Sequence, residues 1–457
     1  MTTRQTQSRA VCWNPWLAVA CLHASLLAFA VSAAYAQELT VVHAGSVLAV
    51  PGQPPLHDRS IVVRDGRIVE LRAGFITPTG ARVIDLRDAF LLPGLIDLHV
   101  HLTTAPEPGG ELDDVALSGA DLALRAMAHA DRLLAAGFTT VLDLGTGRRV
   151  HEEAVFALRD AIAAGHVVGP QVLAVGSPLS IAGQSRVARY RDVVEALVGP
   201  DNVCSGADDC RRTVREQVRR GADVISFYNS GSLLAEPSPA MTFTEDEMRA
   251  IVETAHALGR PVVADGGNTR GDASGINAAL RAGVDSIDTA TYPDRETFRL
   301  LREGGGYFVP HLYALQAAVG DTPDTLEQGT MGWLPRPILE FLYALKQEMP
   351  SAVSAHAAGV RFAFGSDPGV FPHGDNAREF AELVKAGLTP MEAIQSATIH
   401  AADMLGRGES IGALEPGKSA DMIAVESNPL EDIRALEKVK WVMRAGRVHA
   451  PGRAATD

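Results

Sequence analysis

Asp121-Leu-Ala-Leu-Arg-Ala-Met-Ala-His-Ala-Asp-Arg-Leu-Leu-Ala-Ala-Gly-Phe-Thr-Thr-Val-Leu-Asp-Leu144 is one helix-then-strand unit. Asp121 to Ala136 reads as a helix, Gly137 as the glycine that ends it, and Thr139 to Leu144 as a buried strand. The same unit recurs on both sides. Val172–Val175, Asp223–Phe227, Pro261–Ala264 and Arg361–Phe364 read as apolar strands. Cys210–Arg220, Thr244–Leu258 and Arg378–Ala386 read as helices, and Gly221, Gly283 and Gly359 repeat the role of Gly137. Strands that are apolar on both faces and alternate with helices make a parallel sheet covered by helices. About eight such units over residues 92–407 predict an α/β chain with a (β/α)8 TIM-like barrel.

Outside that core the texture changes. Leu39–Val50, Ser60–Leu71 and Ala81–Leu86 read as strands, as do Asp421–Val425 and Val439–His449, the last with a turn at Ala445-Gly446. Residues 37–91 and 408–457 are therefore expected to combine as one small β-domain. Residues 1–36 read as a leader: Arg4 and Arg9 precede an apolar run from Trp16 to Val31, and Ala34-Tyr35-Ala36 is a small-x-small cleavage site. The expectation is a cut after Ala36, a periplasmic or secreted mature chain, and no membrane span in it. Cleavage removes Cys12 and Cys21 and leaves Cys204 and Cys210, which favours a local disulfide in an oxidising compartment.

The chain has 457 residues, 46% of them hydrophobic and 21% charged, which is ordinary globular composition. Its formal charge of −14 argues against a partner with a phosphate backbone. A small-molecule substrate is the expected partner, with a homo-oligomer left open.

Chemistry concentrates at two places. In Pro93-Gly-Leu-Ile-Asp-Leu-His-Val-His101, residues two apart on a strand share a face, so His99 and His101 can grip one cation. Asp367, in Phe364-Gly-Ser-Asp-Pro368, ends a late strand, and strand C-termini form the active face of such a barrel. A carboxylate there can ligate a metal and act as a base.

These segments resemble the amidohydrolase superfamily, in its imidazolonepropionase-like or Xaa-Pro-dipeptidase-like branch. Gly137–Gly145, Gly221-Ala-Asp-Val-Ile225, Ala282–Ile287, His373-Gly374, Ala393–Thr398 and Ile411–Asp421 carry the likeness onward, so it spans residues 39–449. The resemblance implies that the terminal β-domain is a β-sandwich. It also implies hydrolysis of a carbon–nitrogen bond (amide, lactam or peptide-like) or an ester by metal-activated water. Three ligand positions of the family are changed. Ser226 stands where the family has a carbamylated Lys, Asp265 where it has the fifth-strand His, and Thr289 where it has the sixth-strand His. One divalent metal is therefore expected rather than two, with zinc favoured and manganese, iron or cobalt as alternatives. His99, His101 and Asp367 would hold it, with Asp265 either a fourth ligand or a capping acid. His311 stands where relatives usually carry Thr; it is a candidate ligand, catalytic acid or substrate contact, or a satisfied buried histidine. Tyr228, Asp288, His373 and Asn376 are candidates for the pocket. A non-hydrolytic isomerase, lyase or decarboxylase, and a binding protein without catalysis, are the competing readings. Pocket size depends on loops 177–195 and 318–337.

Overall fold

In the computed structural model, residues 39–449 are described apart from 109–112, 182–200, 232–240, 267–271, 290–291 and 357–358. The expected leader, and most of loop 177–195, lie outside the described residues. No helix among the described residues is long and apolar enough to cross a membrane.

The first four strands are β1 (Thr40–Val47), β2 (Leu56–Arg64), β3 (Arg67–Ala73) and β4 (Arg82–Pro93). Then come β5 (Leu95–Val100), β6 (Phe138–Asp143), β7 (Gln171–Ala174), β8 (Ile225–Tyr228), β9 (Val262–Asp265), β10 (Ser286–Asp288), β11 (Tyr307–Val309) and β12 (Arg361–Phe362). The chain closes with β13 (Met422–Val425), β14 (Val439–Arg444) and β15 (Arg447–His449).

Strands from both termini share one sheet, in the order β15-β14-β13-β4-β1-β2-β3. The join is the antiparallel pair β4–β13, with Met422 opposite Pro93 and Val425 opposite Phe90. The sheet curls back on itself: Ile68 N donates to Lys418 O, and Gly417 N to Ile68 O. Its inner face packs Val42, Val47, Ile61, Leu91, Met422 and Met443 into a core of its own, which is the sandwich. The run Ser60–Leu71, read as a single strand, is two. Asp65-Gly66 breaks it with φ of 51° and 76°, the left-handed pair that a two-residue hairpin turn needs.

The barrel strands form two parallel sheets, β5-β6-β7 and β12-β11-β10-β9-β8. Backbone hydrogen bonds bridge both seams between them. Leu98 N donates to Phe364 O at 2.8 Å, and Asp367 N to His99 O at 2.9 Å. On the other side Leu179 N donates to Ser226 O at 2.8 Å, and Tyr228 N to Leu179 O at 3.0 Å. Ile96, Leu98, Leu142, Leu173, Val224, Val263, Val309 and Ala363 fill the interior below the site. Helices jacket the outside. Several start with a reciprocal cap: Ser118 with Asp121, Thr244 with Glu247, Asp294 with Thr297. Gly137, Gly221, Gly283 and Gly359 all have φ between 77° and 120°, as glycines just past a helix do.

β4 runs into β5 with only Gly94 between them. A Cβ at Gly94 would sit 2.1 Å from Thr139 Oγ1, so the two strands cross β6 too closely for a side chain. The terminal sheet is thus continuous with the strand that carries His99.

Candidate metal centre

A bulge aims the two histidines. On β5, Asp97 pairs with Val141, but Val100 pairs with Asp143, which leaves one extra residue on β5 between these pairs. A bulge reverses which side chains face in, so Leu98 joins the interior packing while His99 turns to the mouth. Asp97 holds the bulge. Its buried carboxylate accepts from His99 N at 3.1 Å, Ser366 N at 3.1 Å and Asn376 Nδ2 at 2.8 Å, and from Ser366 Oγ. It thereby clamps β5 to the Gly365-Ser366-Asp367 turn. Burial pushes its pKa up to about 6 against those hydrogen bonds.

The three donors meet. His99 Nε2 lies 3.2 Å from His101 Nε2. Asp367 Oδ1 is 3.4 Å from His101 Nε2 and 3.8 Å from His99 Nε2. With bonds of 2.0–2.1 Å, the edge of a tetrahedral metal site is roughly 3.3 Å. The donor set therefore fits a single divalent ion. The protonation states fit as well. Burial, and then the neighbouring His311 and His101, push the pKa of His99 well below its ordinary value. A neutral imidazole is the form that ligates.

The turn bearing Asp367 has no slack. A Cβ at Gly365 would lie 2.5 Å from Val309 Cγ1, 2.9 Å from His99 Cβ and 3.0 Å from His311 Nε2. Asp367, His311 and Thr289 follow three adjacent barrel strands, and all have left-handed φ, of 64°, 52° and 55°. For Thr289, a β-branched residue, this is strained backbone, of the kind that gathers at functional sites.

A second cluster lies beneath the first: His99, Asp288 and His311, all buried. Asp288 Oδ2 is 3.2 Å from His99 Nδ1 and 3.9 Å from His311 Nε2. His311 Nδ1 is 3.0 Å from Thr289 Oγ1. Burial pushes the Asp288 pKa well above the carboxylate range, and the charges of Asp265, Asp97 and Asp367 push the same way. Burial also takes His311 down to about 3. A cation at the mouth would relieve that crowding of carboxylates.

Other expected residues fall elsewhere. Asp265 is half-buried at the end of β9, outside the two donor clusters, and its charge reaches Asp288. His373 and Asn376, expected against substrate, face inward. His373 Nε2 is 3.1 Å from His101 O, and its ring stacks on His129 at 3.8 Å. Asn376 is fully buried on Asp97. Both brace the ligands from behind. Ser226 is buried, and its Oγ finds no partner among the described residues. Tyr228 is half-buried at the mouth end of β8, where a substrate contact can form. Cys204 and Cys210 form a disulfide beside the N-terminus of the helix Ala207–Arg220.

The sequence reading missed Asp97 as the clamp and gave Asp288 no specific role. The available signal was an acid inside an otherwise apolar strand, in Leu95-Ile-Asp-Leu98 and again in Ser286-Ile-Asp288.

A sequence profile described as the Amidohydrolase family matches residues 90–449. Ochratoxinase of Aspergillus niger is 30% identical over 443 residues, covering 89% of this chain and 85% of that protein. Imidazolonepropionase of Acidiphilium cryptum is 26% identical over 422 residues, 84% of this chain and 91% of that protein. A crystal structure of a Xaa-Pro dipeptidase with methionine bound in its active site has a TM-score of 0.78 at 30% identity, over 90% of this chain and 100% of the other.

Proposed function

The chain belongs to the amidohydrolase family and is a metal-dependent hydrolase of carbon–nitrogen bonds, and from that premise we propose that it works with one metal ion and cleaves a peptide-like amide. The observation that carries this reading is the convergence of His99 Nε2, His101 Nε2 and Asp367 Oδ1 with spacings of 3.2, 3.4 and 3.8 Å. When bound there, a divalent ion, zinc by preference, supplies Lewis acidity and makes water nucleophilic near neutral pH. Ser226, Asp265 and Thr289 stand where a second ion would need ligands.

The protein's own groups divide the remaining work. His99, buried and neutral, fixes the donor geometry. His101 and Asp367 are each about one-fifth exposed and face the mouth. Asp367 Oδ2 is the atom assigned to take a proton from the attacking water and return it to the departing nitrogen. Tyr228 at the rim is assigned to orient the substrate. The likeness to a Xaa-Pro dipeptidase supports an amide whose nitrogen or carbonyl belongs to an amino acid. The leader-like N-terminus and the Cys204–Cys210 disulfide support an exported protein working in an oxidising compartment.

Elemental analysis of the purified chain, coupled to a screen of N-acyl amino acids, dipeptides and lactams, tests the proposal. The expected result is one zinc, manganese, iron or cobalt per chain, lost in His99→Ala, and products heavier than substrate by one water. A wild-type chain with no metal, and no activity on adding Zn²⁺, Mn²⁺, Fe²⁺ or Co²⁺, would instead favour a binding protein, the reading that the three changed ligand positions motivate. Activity that releases products without adding water would favour a lyase or isomerase.

A further inference from the structure

We infer that Asp288 is the positioning residue of the metal centre and that His311 is the wall that keeps it in place, an arrangement resting on the single-metal reading above. His99 is the most buried of the three donors and has two ring nitrogens to satisfy. One of them, Nε2, faces His101 and Asp367. The other, Nδ1, lies 3.2 Å from Asp288 Oδ2. A neutral imidazole carries one proton, so ligation through Nε2 requires that proton on Nδ1, donated to Asp288. Asp288 thus selects the tautomer and sets the ring plane.

Asp288 is itself fixed. Its Oδ1 accepts from Ser286 Oγ at 2.8 Å. Its Oδ2 faces the His311 ring, whose Nε2 is 3.9 Å away and has no hydrogen-bond partner among the described residues. The His311 ring packs edge-on against His99, with centroids 4.1 Å apart and planes at 74°. At its other nitrogen, His311 meets Thr289 Oγ1 at 3.0 Å. The backbone after His311 is held in turn, because the buried Glu379 carboxylate accepts from Leu312 N at 3.0 Å and also from Tyr313 N. A Cβ at position 365 would lie 3.0 Å from His311 Nε2, so the glycine is what leaves space for the ring. His99, Asp288 and His311 are close enough to hold an ion themselves, but that would need both nitrogens of His99 on metals in a space closed to solvent. Orientation of His99 is the role that uses every one of these contacts.

The test compares wild type with Asp288→Asn and His311→Gln. Zn²⁺ affinity is read by competition with a chromophoric chelator, ligand geometry by the visible spectrum of the Co²⁺-loaded protein, and folding by the melting of the metal-free protein. Asp288→Asn is expected to weaken Zn²⁺ binding by roughly 10–100-fold and to alter the Co²⁺ bands, while the metal-free protein melts no earlier than wild type. His311→Gln is expected to weaken Zn²⁺ by more than about threefold with the same spectral change, and this variant carries the test should Asp288→Asn lose its cooperative melt. Affinities of both variants within about threefold of wild type, with unchanged Co²⁺ bands, would overturn the inference. A wild-type chain that binds neither Zn²⁺ nor Co²⁺ defeats the single-metal reading instead, so the two failures are distinct.

Discussion

Asp143 ends β6 with a buried carboxylate that accepts from Leu102 N at 2.7 Å and Gly145 N at 2.9 Å. Burial pushes its pKa up to about 6. An unfolded aspartate titrates near ~4, so between that value and 6 the folded chain holds the extra proton. Its contribution to stability is therefore full below pH ~4 and declines as pH rises to 6, by at most about 1.4 kcal/mol per unit. Asp143→Asn removes this slope and weakens one hydrogen bond, at a cost of about 1–3 kcal/mol. Urea unfolding at pH 4 to 7 should show the variant's deficit largest at pH 4 and smaller at pH 7; a deficit independent of pH would contradict the buried ionisation. Asp97 carries a heavier penalty. Asp97→Ala takes the acceptor from two backbone N–H groups and the Ser366 hydroxyl, and one of two acceptors from the Asn376 amide, and is expected to lose about 3 kcal/mol or more together with metal content. At this scale the sequence was readable where partners are near in the chain. His99 and His101 declare themselves by a two-residue spacing. The partner of Asp97 is 279 residues away in Asn376, and that of His99 is 189 away in Asp288. Only ring closure of the barrel brings them together, and no local pattern encodes which acid meets which imidazole.

Among the elements, the disulfide has a measurable role. Cys204 and Cys210 close a loop of sequence separation 6 that ties the first turn of the helix Ala207–Arg220, which holds Cys210, to the segment before it; the N-cap is Gly206, with no side-chain cap. A loop this short restricts the unfolded chain by about 2 kcal/mol. Reduction without denaturant, followed by urea unfolding, should lower stability by about that amount and leave the Zn²⁺ affinity unchanged. Loss of metal on reduction would mean that the helix and β8 move together. Element types were legible because the glycines after helices and the apolar strands recur in register with each other. The hairpin β2–β3 was misread because Ile61–Val63 and Ile68–Leu71 have the same apolar texture on either side of Asp65-Gly66. The turn chemistry of that dipeptide outweighs the continuity of the run.

For the whole molecule, the pairing of β4 with β13 makes the two termini one structural unit. A chain truncated after residue 407 loses β13, β14 and β15 and uncovers Phe90, Leu91 and Leu92, which are at most 5% exposed. It is expected to be insoluble, or soluble without a cooperative melt, rather than to leave a working barrel; solubility and far-ultraviolet dichroism on heating decide. The join has a further consequence for recombining this protein with its relatives. On the C-terminal side the chain leaves the barrel through Gly406–Gly417, where Ile411 packs in the barrel interior and Leu414 in the sandwich core. On the N-terminal side β4 becomes β5 across Gly94 alone, five residues before His99. A chimera that borrows its sandwich from another member of the family therefore has no neutral crossover there. Whatever donor supplies β4 also sets the pitch at which the first imidazole enters the mouth.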